Sequence, residues 1–184
     1  MHSELSAERR QEYVLDKDVT DRGEASRACV AVLQTLRPHV RLVVVDAYTD
    51  YADELTAEAR QAEAWLRRRG EHQGRRPWRR RTWPADPGMG IEVDPADDQH
   101  WYALSAYAPW SINVDLYGPD NEDLGGFYDS GYSIVATLTE TEVAEISPTL
   151  ADIGALVLLK EVHARRKQER KALGLLRRRT RDGS

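Results

Sequence analysis

Eight of the chain's fourteen aromatic residues lie between Trp101 and Tyr132, inside a stretch from Trp101 to Thr139 that contains no lysine or arginine. Rings and β-branched residues punctuated by Gly, Pro, Asn and Asp favour short strands joined by tight turns. We therefore read this stretch as an antiparallel sheet with an acidic surface. Ser111–Tyr117 carries the clearest period of two. Ile112, Val114 and Leu116 share the inward face, and Ser111, Asn113, Asp115 and Tyr117 point outward. Trp101–Ala108 reads as a preceding strand ended by Pro109. The cluster Gly118–Asp123 turns the chain, Leu124–Tyr128 pairs back, and Asp129-Ser130-Gly131 turns into a last strand over Tyr132–Thr139. With a short strand at Ile91–Val93, the expectation is a meander of three to four strands.

The flanks read as helical. Asp21 and Glu24 have capping-box spacing. Ala25, Cys29, Val32, Leu33 and Leu36 then recur at helical intervals, which predicts a helix from about Arg22 to Leu36. For residues 39–69 the stripe Val40, Val44, Tyr48, Tyr51, Leu55, Ala59, Ala62 and Leu66 favours one continuous helix ended by Gly70. The β-branched run at 40–45 supports the alternative, a strand followed by a helix from Thr49. Residues 1–20 are polar and read as loosely attached, and 70–90 as an Arg/Pro-rich loop. Thr139 and Glu142 form a second capping box, opening a short helix to about Ile146. Ser147-Pro148 reads as the cap and first residue of a long helix to about residue 178, whose basic end overhangs the body. The expected fold is thus α+β over residues 1–184 as one domain: an N-terminal helical pair, a central meander, and a long C-terminal helix packed on the sheet.

The net charge of −5 conceals an uneven distribution. Residues 67–81 hold eight basic groups and one acidic, residues 82–160 one basic and fourteen acidic, and residues 161–184 nine basic and three acidic. An acidic centre is bracketed by two basic segments, and such a map speaks to partners more than to fold. Arginine outnumbers lysine 22 to 4, which first suggests the codon bias of a GC-rich bacterial genome. The single cysteine, Cys29, allows no internal disulfide, and no apolar run reaches membrane-spanning length. The polar N-terminus does not resemble a secretory signal, so a cytoplasmic setting and no membrane association are expected.

No motif names a reaction. The five histidines lack metal-ligand spacing, and a calcium loop opening at Asp120 fails because Leu124 and Gly131 stand where ligands belong. Ser130 lacks a nucleophile elbow, Cys29 lies on the apolar stripe of its helix, and His100 needs the fold to bring Asp115 or Asp129 beside it. No metal, cofactor or catalytic residue is therefore assigned. Two surfaces remain. The acidic aromatic one comprises Trp110, Asn113, Asp115, Tyr117, Asp120, Asp123, Tyr128 and Asp129, a composition suited to a basic protein partner, as in immunity proteins or antitoxins. The basic one comprises Arg75, Arg76, Trp78, Arg79, Arg80 and Arg81, with Arg165, Arg166, Lys167 and Arg170 on the last helix. Arginines interleaved with tryptophan suit phosphates and stacked bases, and solvated charge is the plainer account. The expected function is non-catalytic binding through the acidic sheet. The alternative is a nucleic-acid-associated accessory protein using segments 75–81 and 165–181, with a small hydrolase third. A homodimer through the long C-terminal helix is a further expectation.

Overall fold

The computed structural model describes residues 8–74 and 86–181, with side chains placed as far as Arg170. It is α+β, as expected, but its sheet has seven antiparallel strands. In chain order these are β1 (Gln11–Leu15), β2 (Leu42–Val45), β3 (Ile91–Val93), β4 (Asn113–Tyr117), β5 (Asp123–Tyr128), β6 (Ser133–Leu138) and β7 (Leu156–Leu158). They lie side by side in the order β3-β2-β4-β5-β6-β1-β7. The helices are α1 (Arg22–Leu36), α2 (Ala57–Gly74), α3 (Asp98–Tyr107), α4 (Glu140–Leu150) and α5 (Leu159–Arg181).

The central hairpins follow their sequence signals. Asp120 and Asn121 both take positive φ in the β4–β5 turn, and Asp129 and Ser130 do so in the β5–β6 turn. Two consecutive left-handed residues match the twist of a hairpin, and Asp and Asn tolerate that conformation best. The alternation is as read over Asn113–Tyr117, where Val114 and Leu116 are buried and Asn113, Asp115 and Tyr117 half-exposed. It fails before the strand, where Ser111 is fully buried with its hydroxyl donating to Asp46 O and Ile112 is half-exposed. Across the strands Val43, Leu116, Ala136 and Tyr13 lie in register on the buried face. They meet Leu33, Leu36, Leu66 and Leu104 of the helices in one core. Each such fully buried aliphatic or aromatic side chain contributes roughly 1.5–3 kcal/mol over leaving it in water.

α1 forms where its signal lies, with the Asp21 side chain accepting from the Glu24 amide at 2.9 Å. Other expectations change. Residues 39–69 are not one helix: Leu42–Val45 is a strand paired on both sides, with β3 and β4. Helical periodicity at Val40, Val44, Tyr48 and Tyr51 is overridden by a β-branched run that completes two ladders. The alternative reading had this strand, but α2 begins at Ala57, where the Thr56 hydroxyl accepts from the Ala59 amide. Gly70 does not end α2. It lies within the helix, and glycine is needed there because a β-carbon would stand 1.9 Å from the Pro87 carbonyl oxygen.

Trp101–Ala108 is helical, not a strand. Asp97 caps α3, accepting from the amides of Gln99 and His100, and Trp101, Leu104 and Tyr107 fall on one buried stripe. The segment satisfies periods of two and of 3.6, and the cap decides between them. Gln11–Leu15 is no loose segment but a strand held between β6 and β7. Its five residues bury only Tyr13 fully, so its order comes from pairing with residues more than 120 positions away.

At the C-terminal side, Thr139 and Glu142 form the full capping box. Ser147 is not a cap: its hydroxyl donates back to the Val143 carbonyl at 2.6 Å, and α4 runs through Pro148 to Leu150. The long helix from 147 is thus two helices separated by β7. Asp16 secures the break, its amide donating to Ala155 O and its carboxylate accepting from the Ala155 amide.

The far edge of the sheet is sealed by a side chain. The Gln73 carboxamide donates to Glu92 O at 2.6 Å and accepts from the Glu92 amide at 2.9 Å, pairing with β3 as a neighbouring strand would.

Candidate interaction surface

Helices α1 to α4 cover one face of the sheet, and the alternate residues of each strand form the other. Register places Val44, Asp115, Gly126, Val135, Val14 and Val157 in one row across this second face. Below the row Asn113, Tyr128 and Ser133 are aligned, and above it Leu42 and Tyr117. The seven strands contain four carboxylates, at Glu12, Glu92, Asp115 and Asp123, and no lysine or arginine.

Asp115 sits at the centre of a small polar network. Its carboxylate accepts from the Asn113 amide nitrogen at 3.0 Å and from the Tyr128 hydroxyl at 3.3 Å. Tyr128 reaches it by lying along its own strand over Gly126, where a β-carbon would be 2.9 Å from the phenol oxygen. Glycine thus leaves the space that the ring fills. Burial, and then the Asp115 charge, push the Tyr128 hydroxyl up to about 12. The same two causes, in the same order, raise Tyr117. Both phenols are held as donors, beside a carboxylate that still has acceptor capacity. The surface offers flat aromatic area and negative charge in a partly desolvated setting, where charge-assisted hydrogen bonds to a cation are strongest.

The remaining acidic positions lie at its ends. Asp120 and Asp123 are exposed in and beside the β4–β5 turn, Asp123 accepting from the Gly125 amide. Asp129 is exposed in the β5–β6 turn, at the opposite end of the hairpin. Trp110 does not belong to this surface. It is 6% exposed, under the Arg22 guanidinium, which also covers the rings of Tyr51 and Tyr132 at 4.3–4.7 Å. Arg22 donates from that position to the carbonyls of Pro109 and Ser130. A tryptophan before a strand gives no local sign of whether it faces solvent or a cation from a helix 88 residues earlier.

No family model, curated protein or solved structure matches this chain. Among the described residues no cluster of three or more His, Cys, Asp or Glu side chains is arranged to hold a metal, and no helix is long and apolar enough to cross a membrane. His100 meets neither Asp115 nor Asp129. Its Nε2 faces Arg69 at 2.9 Å and Asp97 at 3.5 Å, its ring tilts against Trp65, and burial followed by Arg69 lowers its basicity. Cys29 is fully buried, and that burial holds its thiol protonated.

Of the basic surface, Arg75, Arg76, Trp78, Arg79, Arg80 and Arg81 lie outside the described residues. Arg165, Arg166, Lys167 and Arg170 are exposed on α5, as are all its residues from His163 to Arg170. The helix packs on β1 and β7, with Val162 its buried residue. A crevice of about 220 Å³ opens between Val14, Ser133 and Val135 on the sheet and Val162, Arg165 and Arg166 on the helix.

Sequence reasoning missed several members of this surface. Gly126, Val135 and Val44 carried no signal as site residues. Val14 and Glu12 were hidden by reading their strand as loosely attached, although the alternation over Gln11–Leu15 was there to find.

Proposed function

We propose that this protein is a non-catalytic binding protein whose exposed sheet face engages a basic protein partner. The observation that carries the reading is the central carboxylate, Asp115. It is flanked by Tyr117 and Tyr128, on a face whose strands carry no cationic residue to neutralise it. Half-exposed valines beside it provide apolar contact, and the exposed carboxylates at the hairpin ends extend the field that steers a cationic protein inward. Immunity proteins and antitoxins work on this principle, and the analogy here is one of charge and size.

The test is affinity capture from cell lysate at low and high salt with three baits: wild type, Asp115→Lys/Asp123→Lys, and Arg165→Glu/Arg166→Glu. The proposal expects cationic proteins that bind wild type, are released by salt, and are lost on reversing the face while surviving reversal of the helix. Capture indifferent to Asp115→Lys/Asp123→Lys sinks it.

A second reading is favoured by one observation, the run of exposed Arg165, Arg166, Lys167 and Arg170 on one helix. Such a helix suits a phosphate backbone. Fluorescence anisotropy with a duplex DNA probe across a salt series would show an affinity falling linearly with log salt, and a shallower slope for Arg165→Glu/Arg166→Glu.

A further inference from the structure

We infer that a cationic partner of the exposed sheet face is helix α5 of a second copy of this chain, the two copies exchanging helices reciprocally. The inference rests on the reading of that face as an acidic docking surface and names its occupant.

Charge is the first argument. The strands carry four carboxylates and no lysine or arginine, whereas α5 contains ten basic residues and two acidic ones. Arg166 and Arg170 stand one turn apart on one side of the helix, and Lys167 and Arg170 are likewise neighbours. All of them are exposed. Size is the second. Twenty-three helical residues extend about 35 Å, and seven strands about 4.8 Å apart make a face about 29 Å wide. Beyond its anchored first turn the helix is still long enough to reach across the strands around Asp115.

Connectivity decides between docking on the same copy and on another. Leu158 is the last residue of β7 and Leu159 the first of α5, so no loop lets the helix fold back. Its first turn is fixed by Val162, which is 8% exposed, and by the Lys160 ammonium on the Gln11 side-chain oxygen at 2.8 Å. Beyond it His163–Arg170 are all exposed, and Arg165 and Arg166 face Val14, Ser133 and Val135 across a crevice. Asp115 lies three strands away from β1, whereas the main contacts of α5 are with β1 and β7. A second copy related by a two-fold axis supplies the missing helix to each face, and the same patch pairs meet twice. The long stems of arginine and lysine then cover Val44 and the strands around Asp115, on the part of the face away from the root of its own α5, while their heads reach the carboxylates and phenols.

The experiment is a charge swap read by light scattering. Wild type is expected at twice the 20.9 kDa chain mass at low salt, shifting toward the monomer at high salt as screening sets in. The face-reversed variant Asp115→Lys/Asp123→Lys and the helix-reversed variant Arg165→Glu/Arg166→Glu/Arg170→Glu are each expected to be monomeric, with circular dichroism confirming that both fold. Mixed in equal amounts they are expected to form a dimer again. Both contacts are then restored, a basic face against an acidic helix and an acidic face against a basic helix. A wild type that is monomeric at low salt, a dimer that survives either reversal, or a mixture that stays monomeric overturns the inference. The outcomes separate it from the reading beneath it. Lysate capture abolished by Asp115→Lys/Asp123→Lys in a monomeric protein leaves the acidic face as a docking site and removes only the second copy as its occupant. Capture indifferent to that change removes both.

Discussion

Replacing Glu142 with glutamine isolates a single charge at a junction of three elements. The carboxylate accepts from Arg10 at 2.7 Å, with His39 Nε2 at 3.0 Å from the same oxygen, and its second oxygen accepts from the Thr139 amide at 2.8 Å. Arg10 also donates to Thr137 O, so the cluster ties the segment leading into β1 to the end of β6 and the start of α4. Glutamine keeps an oxygen for the Thr139 amide, so the cap survives and the ion pair does not. The side chains of Arg10 and Glu142 are only 17% and 11% exposed. Hydrogen bonds to charged groups contribute about 1.5–3 kcal/mol, and stranding a buried charge costs up to about 3–5 kcal/mol. Arg10 retains Thr137 O and some solvent, so we expect a loss of about 2–3 kcal/mol at neutral pH. That corresponds to a fall in Tm of roughly 5–10 °C for a domain of this size. Burial works against the Glu142 charge, but the Thr139 amide and Arg10 outweigh it and hold the carboxyl below its ordinary value. A depressed folded value means that the stabilisation is present above the unfolded value and disappears as pH falls through the folded one. Urea denaturation of wild type and Glu142→Gln from pH 7 to pH 3 should show the full difference at pH 7, shrinking once pH drops below about 4.3. A difference independent of pH, or below about 0.5 kcal/mol at pH 7, would refute the reasoning.

Three further outcomes follow from contacts described above. Gly70→Ala should destabilise by about 1–3 kcal/mol in urea denaturation although alanine is the better helix former, because its β-carbon meets the Pro87 carbonyl; a stabilised variant would contradict that contact. Asp115→Asn should lower the Tyr128 titration from about 12 while burial keeps it above the ordinary phenol value, and a difference titration at the phenolate absorbance band against wild type reads it directly. Arg22→Met removes three ring contacts and leaves the Pro109 and Ser130 carbonyls without their donor, so a loss of about 3 kcal/mol is expected, with the near-ultraviolet dichroism of Trp110 changed.

The residues most legible in the sequence were those whose signal is local. Asp21 and Thr139 marked helix starts because a cap needs only three neighbouring residues. The outward set Asn113, Asp115 and Tyr117 could be read because strand alternation is local too. What failed depended on distant partners. The strands at Gln11–Leu15 and Leu156–Leu158 exist because each completes the other's ladder across 140 residues of chain, and both are too short for their local pattern to decide the matter. Leu42–Val45 carried a helical stripe and a β-branched run at once, and only its two neighbouring strands decide between them. The candidate surface divides in the same way. Its polar members were visible, and its valine floor was not, because a floor is a property of register. Trp110 was assigned to it on composition alone, and packing under Arg22 removed it.

The carboxamide of Gln73 on the backbone of β3 bears on how this sheet can grow. An antiparallel sheet with two bare edges is a monomer for polymerisation, since every added chain exposes a fresh edge. Here one end is already terminated by a side chain from the chain's own helix. Among the described residues β7 is the other edge strand, and strand pairing between copies would have to use it. The protein thus carries a built-in terminator on β3, and Gln73→Ala would uncover the Glu92 amide while Arg69 Nε still donates to Glu92 O at 2.8 Å.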